Sequence, residues 1–157
     1  MDGQTELLRH TLATLAYRGA KALRGAPAEF AEYRADAGSR TPGQILAHMG
    51  DLLDWALALS DGRRDWHDSP PLPLEQGAAR FFAALEALDA RIANGPPLAT
   101  AAGRIFQGPI ADALTHVGQL AMLRRMSGAP FRGENYFKAE IVAGRVGAEQ
   151  APPRQEF

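Results

Sequence analysis

Apolar residues recur at steps of three and four along four stretches of the chain, which is the spacing of an amphipathic helix. The stretches cover about residues 4–23, 41–60, 74–93 and 104–126. The positions predicted to face a core are Leu8, Leu12, Leu15, Gly19 and Leu23; Ile45, Met49, Leu52, Ala56 and Leu59; Phe81, Leu85, Leu88 and Ile92; and Ile110, Ala113, Val117 and Ala121. No stretch alternates convincingly between apolar and polar residues, so no sheet is expected. The pattern predicts an all-α protein.

Local signals mark where these helices begin and end. Thr41 is a good N-cap, and Pro42 suits the first helical position because a backbone N–H would have no partner there. A glycine, usually with a proline, follows each helix within a few residues. These stop signals are Gly25 and Pro27, Gly62, Gly95 and Pro96, and Gly128 and Pro130. The connector at residues 28–40 is predicted to hold one or two helical turns at most.

The linker between the second and third helices decides the expected topology. It reads DGRRDWHDSPPLPL, and its prolines favour an extended backbone. At roughly 3 Å per residue it can run the length of a helix, so the second and third helices need not be antiparallel. Four amphipathic helices bury their apolar faces best against one another. We therefore predict an up-down-down-up four-helix bundle in a single domain spanning residues 1–157, with a short C-terminal helical or irregular extension.

Composition narrows the classes of function. The 157 residues carry a formal net charge of −1 with scattered basic residues, which argues against a nucleic-acid partner. The absence of cysteine excludes disulfides, cysteine-ligated metals and a cysteine nucleophile. The N-terminal MDGQTELLRH lacks the pattern of a signal peptide, and no segment approaches the roughly 18 apolar residues of a membrane span. We expect a cytoplasmic protein with no membrane partner.

A stripe of polar residues runs along one side of the fourth predicted helix. Asp112, His116 and Gln119 lie three and four residues apart, so they share one side of the helix, beside its core positions. Leu123 continues the same stripe, which is unusual for a face turned to solvent. On the second helix His48 lies within or beside the core stripe and is expected to point inward. The two helices could therefore bring His48, Asp112 and His116 together.

Structural explanations of the same residues remain open. A single inward histidine is more often a hydrogen-bonded core residue than a metal ligand. Asp112 and His116 also fit a structural carboxylate–imidazole hydrogen bond or an ordinary surface pair. His10 is interpreted as a surface residue and His67 as a loop residue. Three aromatic residues are interpreted as core: Trp55, Phe81 and Phe82.

The segments TPGQILAHMGDLLDW and DALTHVGQLAMLRRMSGAP resemble the DinB superfamily of small metal-binding four-helix proteins, as do the later ENYFKAEI and GRVG. The resemblance implies an up-down-down-up bundle, commonly dimeric, that holds a divalent metal, with nickel or zinc expected. The metal ligands of the family are typically three histidines, one from the second helix and two spaced by four on the fourth. Carried over, these positions are His48, Asp112 and His116, and Asp112 departs from the pattern.

A carboxylate at position 112 can still serve as a ligand. Two imidazoles and one carboxylate form a facial triad that suits zinc, nickel, iron or manganese. Gln119 could hydrogen-bond to a ligand, and Asp51 is a reserve ligand that leans toward the polar side of its helix. The alternative is that Asp112 marks a site that has lost its metal.

The resemblance also implies two reaction classes, since the superfamily includes metal-dependent hydrolases and thiol-dependent transferases. In the first the metal activates water. In the second it binds a low-molecular-weight thiol that attacks a small-molecule substrate. Asp51 and Glu140 are guesses for a general base. The competing interpretation is a non-catalytic stress-related or ligand-binding bundle whose polar stripe is structural.

The apolar residues of the C-terminal segment indicate whether the chain forms a dimer. Tyr136, Phe137, Ile141 and Val142 make it more apolar than a free tail should be. These residues either pack back on the bundle or contact a second copy of the chain. A homodimer is expected, in line with the resemblance.

Overall fold

The fold was determined as a computed structural model that describes residues 2–157, and it is helical, as predicted. The first three long helices are α1 (Gly3–Leu23), α2 (Pro42–Ser60) and α3 (Leu74–Asn94). The fourth helical segment consists of α4 (Ala102–Ile105), a π-helical turn (Phe106–Ile110) and α5 (Ala111–Met126), which follow one another without a break. Short 3₁₀ turns occupy Ala28–Glu32 and Tyr136–Lys138. The described residues form no strand, only an isolated bridge between Glu134 and Glu156.

The start of α2 is fixed by a reciprocal pair of hydrogen bonds. The Gln44 backbone N–H donates to Thr41 Oγ1 at 3.2 Å, and the Thr41 backbone N–H donates to Gln44 Oε1 at 2.9 Å. This capping box satisfies two donors that would otherwise lack partners. Pro42 occupies the first helical position, so the predicted start of the helix is confirmed.

Helices α2 and α3 run parallel, as the extended linker allows. Near the start of both helices, Arg80 donates to the Ala47 carbonyl at 2.9 Å. Near their ends, Arg91 donates to Asp61 at 2.5 Å. Residues 61–73 contain no helix and connect the two ends across the length of the bundle.

The remaining contacts complete the topology. Arg9 pairs with Asp89 at 2.8 Å while Gly19 lies against Phe81, so α1 runs antiparallel to α3. A Cβ at Gly19 would lie 2.8 Å from the Phe81 ring, so this close approach requires glycine. Near the other end of α1, Arg124 of α5 donates to the Ala22 carbonyl at 2.8 Å, which makes α1 parallel to α5. The up-down-down-up arrangement is thereby confirmed.

The predicted apolar faces form the core, with small deviations. All four predicted positions of α3 are buried. Leu23, Leu59 and Ala121 are only half-buried, whereas Leu120, which was not predicted, is fully buried. The predicted positions Ala113, Val117 and Ala121 are four residues apart, whereas an α-helix has 3.6 residues per turn. Ala121 is therefore rotated away from the core, and Leu120 takes the buried position.

The C-terminal segment packs back on α1 through a polar anchor. Glu134, whose side chain is fully buried, accepts a hydrogen bond from the Tyr17 hydroxyl at 2.6 Å and pairs with Lys21 at 2.9 Å. Burial and the Glu134 carboxylate raise the pKa of Tyr17. Tyr136 stacks edge-on against Tyr17, but Phe137 is 96% exposed. The apolar tail is thus only partly covered by the bundle.

No helix within residues 2–157 combines the length and the apolar character needed to cross a membrane.

Candidate metal centre

The structure brings the three predicted residues together between α2 and α5. His48 Nε2 lies 3.4 Å from Asp112 Oδ2, and His116 Nε2 lies 3.5 Å from Asp112 Oδ1. One candidate ligand atom from each residue lies within 4.8 Å of the other two. Because α2 and α5 are antiparallel neighbours, one turn of each helix supplies the whole cluster.

Burial differs among the three side chains. His116 is buried, and the His48 side chain is 20% exposed. The Asp112 side chain is 47% exposed, so it forms the rim of the cluster. The imidazole rings of His48 and His116 meet edge-on with their centroids 4.9 Å apart. The cluster is therefore held by packing on the histidine side and is open on the carboxylate side.

Gln119 orients the buried histidine. Its Oε1 lies 2.7 Å from His116 Nδ1, the contact anticipated from their spacing on the helix. An amide oxygen can only accept, so Nδ1 carries a proton in this bond and Nε2 of the neutral ring presents a lone pair. That lone pair faces a carboxylate oxygen, an arrangement that needs a cation or a second ring proton between the two atoms.

The spacing and chemistry of these donors fit a divalent ion. Nitrogen and oxygen ligands bind zinc at 2.0–2.2 Å, which puts neighbouring ligand atoms of a tetrahedral site about 3.4 Å apart. Each histidine lies at about this distance from one of the two carboxylate oxygens, His48 at 3.4 Å from Oδ2 and His116 at 3.5 Å from Oδ1. Two imidazoles and a carboxylate also leave further coordination positions open on the exposed side.

A cavity of about 980 Å³ opens beside the cluster, and both His48 and Asp112 line it. Its apolar wall consists of Leu52, Leu59, Trp55 and Trp66, and its polar lining includes Arg64, Thr100, Arg104 and Gln107. The indole rings of Trp55 and Trp66 meet edge-on at 5.8 Å. Trp55, interpreted from the sequence as core, is thus half-buried and faces the cavity. The cluster has the setting of a small-molecule site.

The floor of the cavity includes the π-helical turn. Gln107 and Gly108 lie within it, one turn before Asp112. Pro109 cannot donate the usual helical hydrogen bond, and a wider turn accommodates it without ending the fourth helical segment. The apolar spacing predicted an uninterrupted helix here, although Pro109 was a visible signal for a distortion.

A second group of candidate ligands lies about one turn further along α2, beside the linker. Asp51, Asp54 and His67 offer atoms within 4.8 Å of one another. Arg80 already lies among them, with Nη2 2.7 Å from Asp51 and 2.8 Å from Asp54. The guanidinium supplies the positive charge that a metal would bring, so this group is a salt-bridge cluster.

The cluster corrects the prediction for Asp51 and adds a contact to His67. Asp51 was expected on the polar side of α2, but it is only 3% exposed because α3 and the linker cover that face. It also accepts hydrogen bonds from the Ser69 backbone N–H at 2.8 Å and hydroxyl at 2.7 Å, which attach the linker to α2. His67 does lie in the loop as predicted, yet it approaches Asp51 at 3.1 Å.

Gly50 makes room for the guanidinium of Arg80. A Cβ at this position would lie 2.6 Å from Arg80 Nη1, closer than any real contact. The arginine therefore lies directly on the backbone of α2 and reaches the Ala47 carbonyl as well as the two carboxylates. Nothing in the helical periodicity distinguishes Gly50 from the small residues of the core.

Opposing effects set the ionisation of Asp51. Burial disfavours its charged form, but hydrogen bonds from Ser69 and the ion pair with Arg80 outweigh burial and lower its pKa below the ordinary 3.8. A group whose pKa falls on folding stabilises the folded state above its unfolded pKa and loses that contribution as the pH decreases. The cluster is therefore acid-sensitive.

We expect Asp51→Asn to lower the free energy of unfolding at pH 7 and to have less effect in acid. The difference in the free energy of unfolding between wild type and variant should be largest above about pH 5. It should shrink as the pH falls below the ordinary pKa of aspartate. Urea denaturation across this range measures it. Asp68→Asn, at an exposed position in the same linker, is the control and should show a small difference at every pH. A pH-independent effect of Asp51→Asn would contradict the assignment.

Neither guessed general base is placed to act at the centre. Asp51 is committed to Ser69 and Arg80. Glu140 pairs with Arg154 at 2.5 Å and with Arg145 at 3.5 Å, within the C-terminal segment. Neither residue lines the cavity. These contacts give neither guess support, because the sequence alone does not show which partners neutralise a carboxylate.

Sequence reasoning missed several cavity residues. Among them, Arg64 and Trp66 belong to the linker, where no periodicity relates them to a helix face, and Arg104 lies in α4. The adjacent WHD tripeptide was the available signal, since an aromatic residue beside histidine and aspartate is unusual in a solvated linker. No protein-family model, curated protein or solved structure matches this chain, so the candidate centre is described by its own geometry.

Proposed function

We propose that His48, Asp112 and His116 bind one divalent metal ion and that the protein is a DinB-like metal-dependent enzyme acting on a small molecule. The observation that carries the proposal is the orientation of His116. Its Nδ1 is engaged by Gln119, so Nε2 faces the Asp112 carboxylate within a cluster that opens on a cavity. A cation between these atoms removes the conflict between lone pair and carboxylate.

Each residue of the proposed site has its own role. His48 and His116 are neutral donors, and Asp112 adds one negative charge that moderates the charge of the centre. Gln119 holds His116 in the metal-binding tautomer. Trp55 and Trp66 supply the aromatic part of the cavity lining beside the cluster.

When bound, a nickel or zinc ion supplies Lewis acidity that favours deprotonation of water or of a thiol. Hydrolysis and thiol-dependent transfer both use such a centre. Because the chain has no cysteine, the nucleophile is water, the substrate or an exogenous low-molecular-weight thiol.

Asp112→His is expected to strengthen nickel and zinc binding by about tenfold, because it completes a set of three imidazoles. Calorimetric titration of wild type and variant measures the change. Asp68→His, which adds a histidine at an exposed position away from the centre, is the matched control. If Asp112 serves only to orient His116, Asp112→His will instead lower stability and leave metal affinity unchanged, as expected for a non-catalytic bundle with a structural polar stripe.

We also propose that the protein forms a homodimer. Several large apolar side chains are exposed on the described surface, namely Leu7, Phe106, Met122, Met126, Phe137, Val142 and Phe157. Phe137 is 96% exposed although its neighbour Tyr136 packs on the bundle. Light scattering should give twice the mass of the chain, and Phe137→Ser should weaken the association if the tail lies in the interface. A monomer at high concentration would reject the dimer.

A further inference from the structure

The polar side of the cavity carries an excess of positive charge. Arg64, from the linker, and Arg104, from α4, both line it, and Asp112 is its only acidic lining residue. Within residues 2–157 neither guanidinium forms a side-chain hydrogen bond or ion pair, and the neighbouring carboxylates of Asp61 and Asp65 pair with Arg63 instead. Arginines that merely solubilise a surface have no need to share a cavity, whereas two uncommitted guanidiniums in one cavity attract an anion.

The opposite side of the cavity is apolar and firmly held. Trp55 and Trp66 meet edge-on, and Trp66 also stacks edge-on against His48 with ring centroids 5.8 Å apart. The linker that carries Trp66 and Arg64 is attached to α2 by the two hydrogen bonds from Ser69 to Asp51. The linker backbone that carries Trp66 and Arg64 is therefore positioned before a ligand arrives, which lowers the entropic cost of binding.

We infer that this cavity binds a small molecule with an apolar or aromatic body and a carboxylate group. The body lies against Trp55 and Trp66, and the carboxylate pairs with Arg64 and Arg104, whose planar guanidiniums match a planar carboxylate. The inference rests on the proposed function in one respect: such a ligand would present its remaining part to the cluster of His48, Asp112 and His116. Recognition of the carboxylate itself needs no metal.

The two tryptophans give a direct readout. They are the only tryptophans of the chain, and both line the cavity, so a ligand that enters it changes the intrinsic fluorescence. The probes are 4-phenylbutanoate and its neutral analogue 4-phenylbutanamide, which share an apolar body and differ in charge. Titrations are made first on chelator-treated protein and then with nickel added.

We expect the acid to bind wild-type protein about tenfold tighter than the amide in the absence of metal, as expected for a charge-assisted contact. Arg64→Gln combined with Arg104→Gln should remove this preference and leave amide binding unchanged. Arg63→Gln is the matched control, because Arg63 is adjacent in the linker but pairs with Asp61 and Asp65 and does not line the cavity. It should retain the preference.

Equal binding of acid and amide by wild type would overturn the inference, as would a preference that survives in the double arginine variant. A preference that appears only with nickel and is lost in His48→Ala with His116→Ala would place the carboxylate on the metal and would also overturn it. A metal-free preference carried by the arginines, together with no metal binding, would support the carboxylate site and contradict the proposed metal centre.

Discussion

Replacing His48 and His116 together by alanine is expected to weaken zinc and nickel binding by more than about 100-fold, which amounts to loss of the site. The variant keeps one ligand, the exposed carboxylate of Asp112, and a single carboxylate does not hold a transition metal tightly. Helical content should be unchanged, because neither histidine belongs to the apolar faces that form the core. Calorimetry measures the binding, and far-UV circular dichroism measures the helices.

The chain provides its own control for this experiment. It has four histidines, and the other two, His10 and His67, lie outside the candidate centre. His10→Ala combined with His67→Ala removes as many imidazoles and should leave one tight site per chain. The same control separates the centre from the cluster around Asp51, since His67 belongs to the latter. The metal centre is rejected if wild type binds no tighter than the variant without His48 and His116.

Arg80→Met is expected to lower the free energy of unfolding by about 3 kcal/mol. Removing the guanidinium leaves Asp51, only 3% exposed, as a buried charge whose remaining partners are Ser69 and the exposed His67. Breaking a buried ion pair on one side costs about 3–5 kcal/mol. The partial exposure of Arg80, 24% of its side chain, places the effect at the low end. Urea denaturation at pH 7 measures it.

A second variant tests whether the unpaired charge of Asp51 causes this loss of stability. Adding Asp51→Asn to Arg80→Met removes the stranded charge and should recover part of the lost stability, so the two changes should not be additive. Arg63→Met is the control, because Arg63 pairs only with exposed carboxylates and such pairs contribute about 0–1 kcal/mol. Additive losses in the double variant would show that Arg80 acts through packing of its aliphatic stem.

The positions of the helices were predictable because they depend on local chemistry. Apolar spacing placed α1, α2 and α3 to within one or two residues of their ends, and the Thr41 cap follows from hydrogen bonds between residues three apart. The grouping of Asp112 with His116 is also local, since residues four apart on a helix share a face. The approach of His48 was a prediction from two helix faces, and the bundle brings the three residues together.

Tertiary structure alone decided which polar groups are committed and which are free. A helical wheel reports how polar each face is but not what covers it, so Asp51 looked exposed although Arg80, 29 residues later, and the linker bury it. The same limit hid the cavity, whose lining comes from α2, the linker and the residues from Thr100 to Asp112. By itself, the sequence determined where the helices lie and which faces are apolar, because hydrophobic periodicity is a property of neighbouring residues. The partners of Asp51, Arg80 and Trp66 depended on how the helices pack, because those contacts join residues far apart along the chain.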